Sequence, residues 1–101
     1  MEIIWTDKAI FDLKQIFVFL SGKSASVAKK EVEKIFLKAS FLETGFSKIG
    51  QEEPLLKSYK KKYRYLISGN YKIIYSIAAD KIFIHTIFDT RQNPKKLKTR
   101  K

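Results

Sequence analysis

The stretch Tyr71-Lys72-Ile73-Ile74-Tyr75-Ser76-Ile77-Ala78, then Ala79-Asp80, then Ile82-Phe83-Ile84-His85-Thr86-Ile87-Phe88, decides the fold. Tyr71, Ile73, Tyr75 and Ile77 alternate with Lys72, Ile74, Ser76 and Ala78, which is the period of a strand. Ala79-Asp80 reads as a turn. Residues 82–88, rich in β-branched and aromatic side chains, read as the next strand. By alternation His85 shares a face with Phe83 and Ile87. Both strands are apolar on both faces, so they belong at the centre of a sheet. Working upstream, Tyr59 to Ile67 reads as a further strand, closed by the turn signal Ser68-Gly69-Asn70. The three make an antiparallel meander, ended by Asn93-Pro94 and a basic tail over residues 95–101.

The N-terminal half changes period. Glu2 to Trp5 is a short strand. Thr6 is placed to cap a helix, with Asp7 at its positive end. Ala9, Leu13, Ile16, Phe17 and Leu20 then recur at helical spacing, and Phe11, Val18 and Phe19 broaden that face. Ser21-Gly22-Lys23-Ser24 breaks the helix, with Gly22 suited to a left-handed C-terminal position. A second helix runs from about Ser26 to Glu43. Its stripe is Ala28, Val32, Ile35, Phe36, Ala39 and Leu42, and Lys29, Lys30, Glu33, Lys34 and Lys38 form its wet face. Thr44-Gly45 ends it, and residues 46–56, with Gly50 and Pro54, read as loop. The order β-α-α-β-β-β implies one α+β domain over residues 1–101. A helical hairpin covers one face of a small antiparallel sheet, and the first strand pairs with a later one.

Composition removes several classes of chemistry. The chain of 101 residues has no cysteine and one histidine, which excludes disulfides, thiolate metal sites and cysteine nucleophiles. No metal site and no cofactor are expected. No apolar run approaches a membrane span, and Met1-Glu2-Ile3-Ile4-Trp5-Thr6-Asp7 lacks the basic region of a signal peptide, so a cytoplasmic protein with no membrane partner is expected. The net charge of +11 is uneven. Residues 1–56 hold eight basic and eight acidic side chains, whereas residues 57–101 hold thirteen basic ones against Asp80 and Asp89. Such asymmetry points to an anionic partner. Eighteen of the 21 basic residues are lysine, so Arg64 and Arg91, with their planar forks, stand out within the strand region.

Three features together resemble one family. These are the β-α-α-β-β-β order; Tyr63-Arg64-Tyr65-Leu66, a glycine turn and Tyr71-Lys72-Ile73-Ile74-Tyr75; and the ending Ile87-Phe88-Asp89-Thr90-Arg91-Gln92-Asn93-Pro94. Thr6-Asp7-Lys8-Ala9, with Leu13 and Ile16 after it, fits the family's first helix. The chain is similar over nearly its whole length to the RelE/ParE superfamily of type II toxins, also called plasmid stabilisation proteins. The resemblance implies a growth-inhibiting toxin masked by a cognate antitoxin, here expected to be small and acidic. RelE-like members cut messenger RNA in the ribosomal A site; ParE-like members poison DNA gyrase. Arg91 falls where the ribonuclease branch has an arginine at the end of the last strand. Lys72 falls where that branch often has an arginine. No tyrosine or histidine follows Arg91, and Leu97 stands near the expected tyrosine. The Asp89-x-Arg91 ending before Pro94 looks more like the ParE branch, so inhibition of gyrase is the leading expectation. In that case the domain need not be an enzyme.

The residues support three readings. A ribonuclease needs a base for the 2′-hydroxyl, an acid for the leaving oxygen and cations for the phosphorane, for which His85, Arg91 and Lys72 are the catalytic candidates, with Arg64 a further electrostatic partner. Lys60, Lys61, Lys62, Arg64, Arg91, Lys95 and Lys96 are candidates for binding an anionic partner. Tyrosines 59, 63, 65, 71 and 75 interleave with cations and could stack bases, or simply pack. His85 can equally be a sheet residue, and Arg91 can equally pair with Asp89. The third reading is a basic nucleic-acid-binding module without toxicity. Phe11, Val18, Phe19 and Phe41 exceed what one core stripe needs; if exposed, they offer a groove for an antitoxin helix.

Overall fold

A computed structural model describes residues 1–44, 51–53, 56 and 62–92. Strand β1 (Glu2–Trp5) leads into helices α1 (Asp7–Ser21) and α2 (Ala25–Ser40), a 3-10 turn (Phe41–Thr44), and strands β2 (Gln51–Glu52), β3 (Arg64–Ser68), β4 (Tyr71–Ala78) and β5 (Lys81–Asp89). The sheet order is β1-β5-β4-β3-β2. The expected strand, two helices and meander are present, with β4 and β5 central. Two features extend that expectation. β1 pairs with β5 in parallel, and Gln51–Glu52, in a stretch expected to be loop, pairs with Tyr65 and Arg64 of β3. The strand expected from Tyr59 begins at Arg64. Residues 59–61 and the tail at 95–101 lie outside the described residues.

Local chemistry sets the junctions. The Thr6 hydroxyl accepts from the Ala9 N–H at 3.2 Å, capping α1, and donates to the Ile84 carbonyl at 2.7 Å. The Thr6 N–H reaches the same carbonyl at 3.1 Å, so one residue both starts the helix and ties it to β5. Ser24 caps α2 through the Val27 N–H at 3.3 Å. Gly22 is not left-handed as expected; its φ is −63°. The chain closes α1 through the Lys23 and Ser24 N–H groups on the Leu20 carbonyl and begins α2 at once, leaving no room for a left-handed cap.

Both hairpin turns use positive φ. Gly69, at φ +60°, opens the two-residue β3–β4 turn. The β4–β5 turn has Ala79 at φ 51° and Asp80 at φ 61°, the type I′ pattern, which suits Asn-Gly far better than a residue with a Cβ. Replacing Ala79 by glycine removes that steric cost and is expected to raise stability by up to about 1 kcal/mol, read by urea denaturation. Unchanged stability would mean that the turn relaxes without it.

The helices cover one face of the sheet. Ala9, Ile35, Ala39 and Leu42 pack on Leu66, Tyr71, Ile73, Tyr75, Ile82, Ile84 and Ile87. A smaller cluster of Leu56, Tyr63, Ile74 and Phe88, with Tyr65 against it, occupies the opposite, open face. A β-bulge corrects the alternation expected in β5. Ile74 pairs with Thr86 and Tyr75 with Ile84, so His85 has no register partner. The extra residue shifts the phase. His85 stays with Phe83 on the open face, but Ile87 joins the helix-facing core. The helix stripes need correction: Phe11, Val18 and Phe19, expected to broaden the α1 face, are exposed and lie outside the core. Phe17 is exposed, and Phe36 is exposed while stacking on Trp5 with centroids 5.8 Å apart. Asp12, a charged residue among apolar neighbours, is only 2% exposed.

Candidate functional site

Lys72 and His85 lie on the open face. Lys72 Nζ sits 2.6 Å from Glu53 Oε1 and 4.4 Å from the centroid of the Tyr65 ring. The Glu53 side chain is fully buried. Its backbone N–H donates to the Tyr63 carbonyl at 2.8 Å, which brings this carboxylate onto the sheet. His85 Nε2 lies 2.6 Å from the Ser76 hydroxyl, and the imidazole meets Tyr63 edge-on at 5.1 Å. These contacts lock the imidazole against the sheet.

Arg91 is elsewhere. It follows β5 and folds back on Asp89, with Nε donating to Oδ1 at 2.9 Å, Nη2 to Oδ2 at 2.8 Å and its own N–H to Oδ1 at 2.9 Å. The pairing that was the alternative to a binding role is therefore formed, while the Arg91 side chain stays largely exposed. Asp89 pairs in register with Tyr71 of the helix-packed core, and so lies on the helix side. Both line a cleft of about 270 Å³ with Asp12, Gln15, Ile16, Phe19, Ile87 and Gln92. The Arg91 hydrogen bonds hold the Asp89 carboxyl below its usual range. Burial, then the Asp89 charge, pushes the Tyr71 phenol up, so it serves as a neutral hydrogen-bonding wall.

The sign of the Asp89 shift gives a test. A carboxyl depressed in the folded state stabilises the fold above its unfolded pKa of about 4, and this is lost as pH falls through the folded value. Arg91→Ala is expected to move the Asp89 titration back up towards that ordinary value, followed by carboxyl NMR. A titration unmoved by Arg91→Ala would contradict the pairing.

Arg64 is half-buried opposite Tyr75, on the helix side, four residues along β4 from Tyr71 or roughly 13 Å. Lys62 is exposed. Lys60, Lys61, Lys95 and Lys96 lie outside the described residues. The structure thus brings Lys72 and His85 to one face and sets Arg91 and Arg64 towards the other.

Sequence reading missed two carboxylates. Asp12 accepts from Lys8 Nζ at 2.7 Å, from the Thr86 hydroxyl and from the Ile87 N–H at 3.1 Å. Its spacing carried the signal: it stands three residues after Ala9 and four before Ile16, in phase with the core. Glu53 carried none, because it precedes Pro54 in a stretch without periodicity. Among the described residues no group of three or more His, Cys, Asp or Glu could hold a metal, and no helix is long and apolar enough to cross a membrane.

Residues 3–94 match the family model described as "ParE toxin of type II toxin-antitoxin system, parDE". The chain belongs to the ParE toxin family. Among solved structures it is similar to one titled "Chromosomal ParDE TA system from P. aeruginosa", with a TM-score of 0.74 and 20% identity, covering 88% of this chain and 95% of that one. At that identity the likeness shows the fold. No curated protein matches the chain. The leading expectation of a ParE-like type II toxin with an α+β fold thus holds. In this ParE-family toxin the matched span includes Asp89, Arg91 and both faces of the sheet.

Proposed function

We propose that this toxin arrests growth by binding DNA gyrase through protein–protein contact, and that a small acidic antitoxin masks it. The observation that carries the reading is the division of the candidate catalytic groups between the two sides of the sheet. A 2′-hydroxyl attack needs base, acid and cation around one phosphate. Here Lys72 is engaged by a fully buried carboxylate on one side, and Arg91 is held by Asp89 towards the other. That arrangement supports a surface that binds rather than a centre that cleaves.

The test is purified protein with gyrase, plasmid DNA and ATP, run beside a ribosome-bound message. Loss of supercoiling with intact message is expected. Unaffected supercoiling with cut message would overturn the proposal in favour of the ribonuclease reading, for which Lys72 and His85 on one face are the supporting observation. In that case His85→Ala should abolish cleavage. Full toxicity of His85→Ala would leave that reading without its acid–base group.

A further inference from the structure

The two flanks of α2 differ. Ala28, Ile35 and Ala39 are buried and fix the inner side of the helix. On one flank Phe36 stacks on Trp5 of β1. On the other, Glu31 reaches the β3–β4 turn, its Oε2 3.7 Å from where a Cβ on Gly69 would stand. By helical phase Lys34 and Lys38 fall on the Glu31 flank. Lys30, one turn before Lys34, continues the row onto the outer surface. All three lysines are exposed. They step by about 6 Å and span about 12 Å along the helix axis. The row lies on the flank nearest β3, against which α2 packs. Arg64 stands half-buried on the helix side of that strand, and Lys62 is exposed just before it.

The acids of α2 do not cancel this row. Glu31 is 3.7 Å from Lys34 Nζ, but the lysine side chain is 57% exposed, and such a solvated pair holds its partners weakly. Glu33, the exposed acid, lies with Val32 and Phe36 on the far flank. Three evenly spaced point charges on a rigid helix suit an anion whose charge repeats at a regular interval, as a phosphate backbone does. Lysine lacks the planar fork that reads a base edge, so the contact carries no sequence information. Phe36 is on the other flank and Phe41 lies beyond the end of the row. No ring therefore stands between the lysines to stack on an unpaired base, which favours a duplex over a single strand. A lipid surface calls for an apolar face turned outward. The apolar stripe of α2 is in the core, and only Val27 and Leu37 border the row.

We propose that the β3-side flank of α2 is a contact for duplex DNA, in which Lys30, Lys34 and Lys38 take neighbouring backbone phosphates without regard to sequence. This goes beyond the gyrase reading and does not depend on it. Weak, sequence-independent binding holds the chain close to enzymes that work on DNA.

The probe is a fluorescein-labelled duplex of about 20 base pairs, followed by anisotropy on the full chain from about 50 to about 200 mM salt. Lys30→Gln/Lys34→Gln/Lys38→Gln removes the row. Lys14→Gln/Lys23→Gln/Lys81→Gln removes the same charge from exposed positions on α1, the helix–helix turn and β5, and so reports attraction by net charge alone. Thermal unfolding checks that both variants fold. The wild-type chain is expected to bind with a Kd on the order of 10⁻⁵ M near physiological salt. The row variant is expected to bind at least about tenfold more weakly, and its slope of log affinity against log salt to flatten by about 2.7, which is 0.9 for each of three phosphates. The control variant is expected to keep the wild-type slope and to lose less than about threefold in affinity. Equal losses in the two variants overturn the proposal, because the duplex then senses net charge only. Wild-type affinity and slope in the row variant overturn it, as does a wild-type chain that does not bind the duplex. Tighter row-dependent binding to a single-stranded RNA of the same length, or to vesicles containing phosphatidylserine, overturns the choice of duplex DNA. Gyrase supercoiling is scored apart, so failure of the gyrase reading and failure of the DNA contact remain distinct results.

Discussion

Asp12→Ala is expected to cost about 3 kcal/mol of folding stability. The carboxylate sits at the contact between α1 and the bulged part of β5. Removing it strips the Thr86 hydroxyl and the Ile87 N–H of their acceptor in a buried setting, and takes the counter-charge from Lys8. Each buried donor left without a partner costs about 1–3 kcal/mol, and Lys8, being partly exposed, adds little. For a domain of this size the melting temperature should fall by more than about 12 °C. Asp12→Asn keeps one acceptor oxygen and should lose roughly half as much. Urea denaturation of the three proteins checks the order. A loss below about 1 kcal/mol for Asp12→Ala would show that water or a neighbouring group takes over both donors.

The second large effect concerns the ion pair on the open face. Lys72→Met keeps a side chain of similar length, but it removes the ammonium that stands 4.4 Å from the centroid of the Tyr65 ring and takes from the buried Glu53 carboxylate the cation 2.6 Å away. Breaking a buried pair from one side costs about 3–5 kcal/mol, whereas replacing both partners by neutral groups of similar volume is far cheaper. Lys72→Met is therefore expected to be strongly destabilised, and Lys72→Met/Glu53→Gln to recover more than half of the loss. A double-mutant cycle in urea measures the coupling. A single variant as stable as the wild type would contradict the pairing. The result also bears on chemistry, since a lysine held by a buried carboxylate is poorly placed to receive a phosphate.

How legible these features were follows from their physics. The meander was plain because β4 alternates without interruption and is closed by two-residue turns. The helices were plain because their buried positions recur at helical spacing. The bulge at His85 was hidden, because an extra residue leaves the composition of β5 unchanged and only shifts its phase, so Ile87 was set on the wrong face. Phe17 was drawn into the core stripe by its hydrophobicity, although α1 already fills that side with Ala9, Leu13 and Ile16. Asp12 was passed over because a charged residue is ordinarily solvated, even though its phase was that of the core. Glu53 and the strand Gln51–Glu52 depend on pairing with β3, which no local pattern records. Among the candidate site residues, type and position were readable for Arg91, Lys72 and His85. Their distribution over two sides of the sheet was not, because it depends on the bulge and on the chain's return after β5.

The central claim is tested most directly by controlled induction of the chain, without its antitoxin, in a bacterial host, with pulse labelling of DNA and protein synthesis in the same culture. Inhibition of gyrase predicts an early fall in DNA synthesis while translation continues. An early fall in protein synthesis with DNA synthesis intact would contradict it.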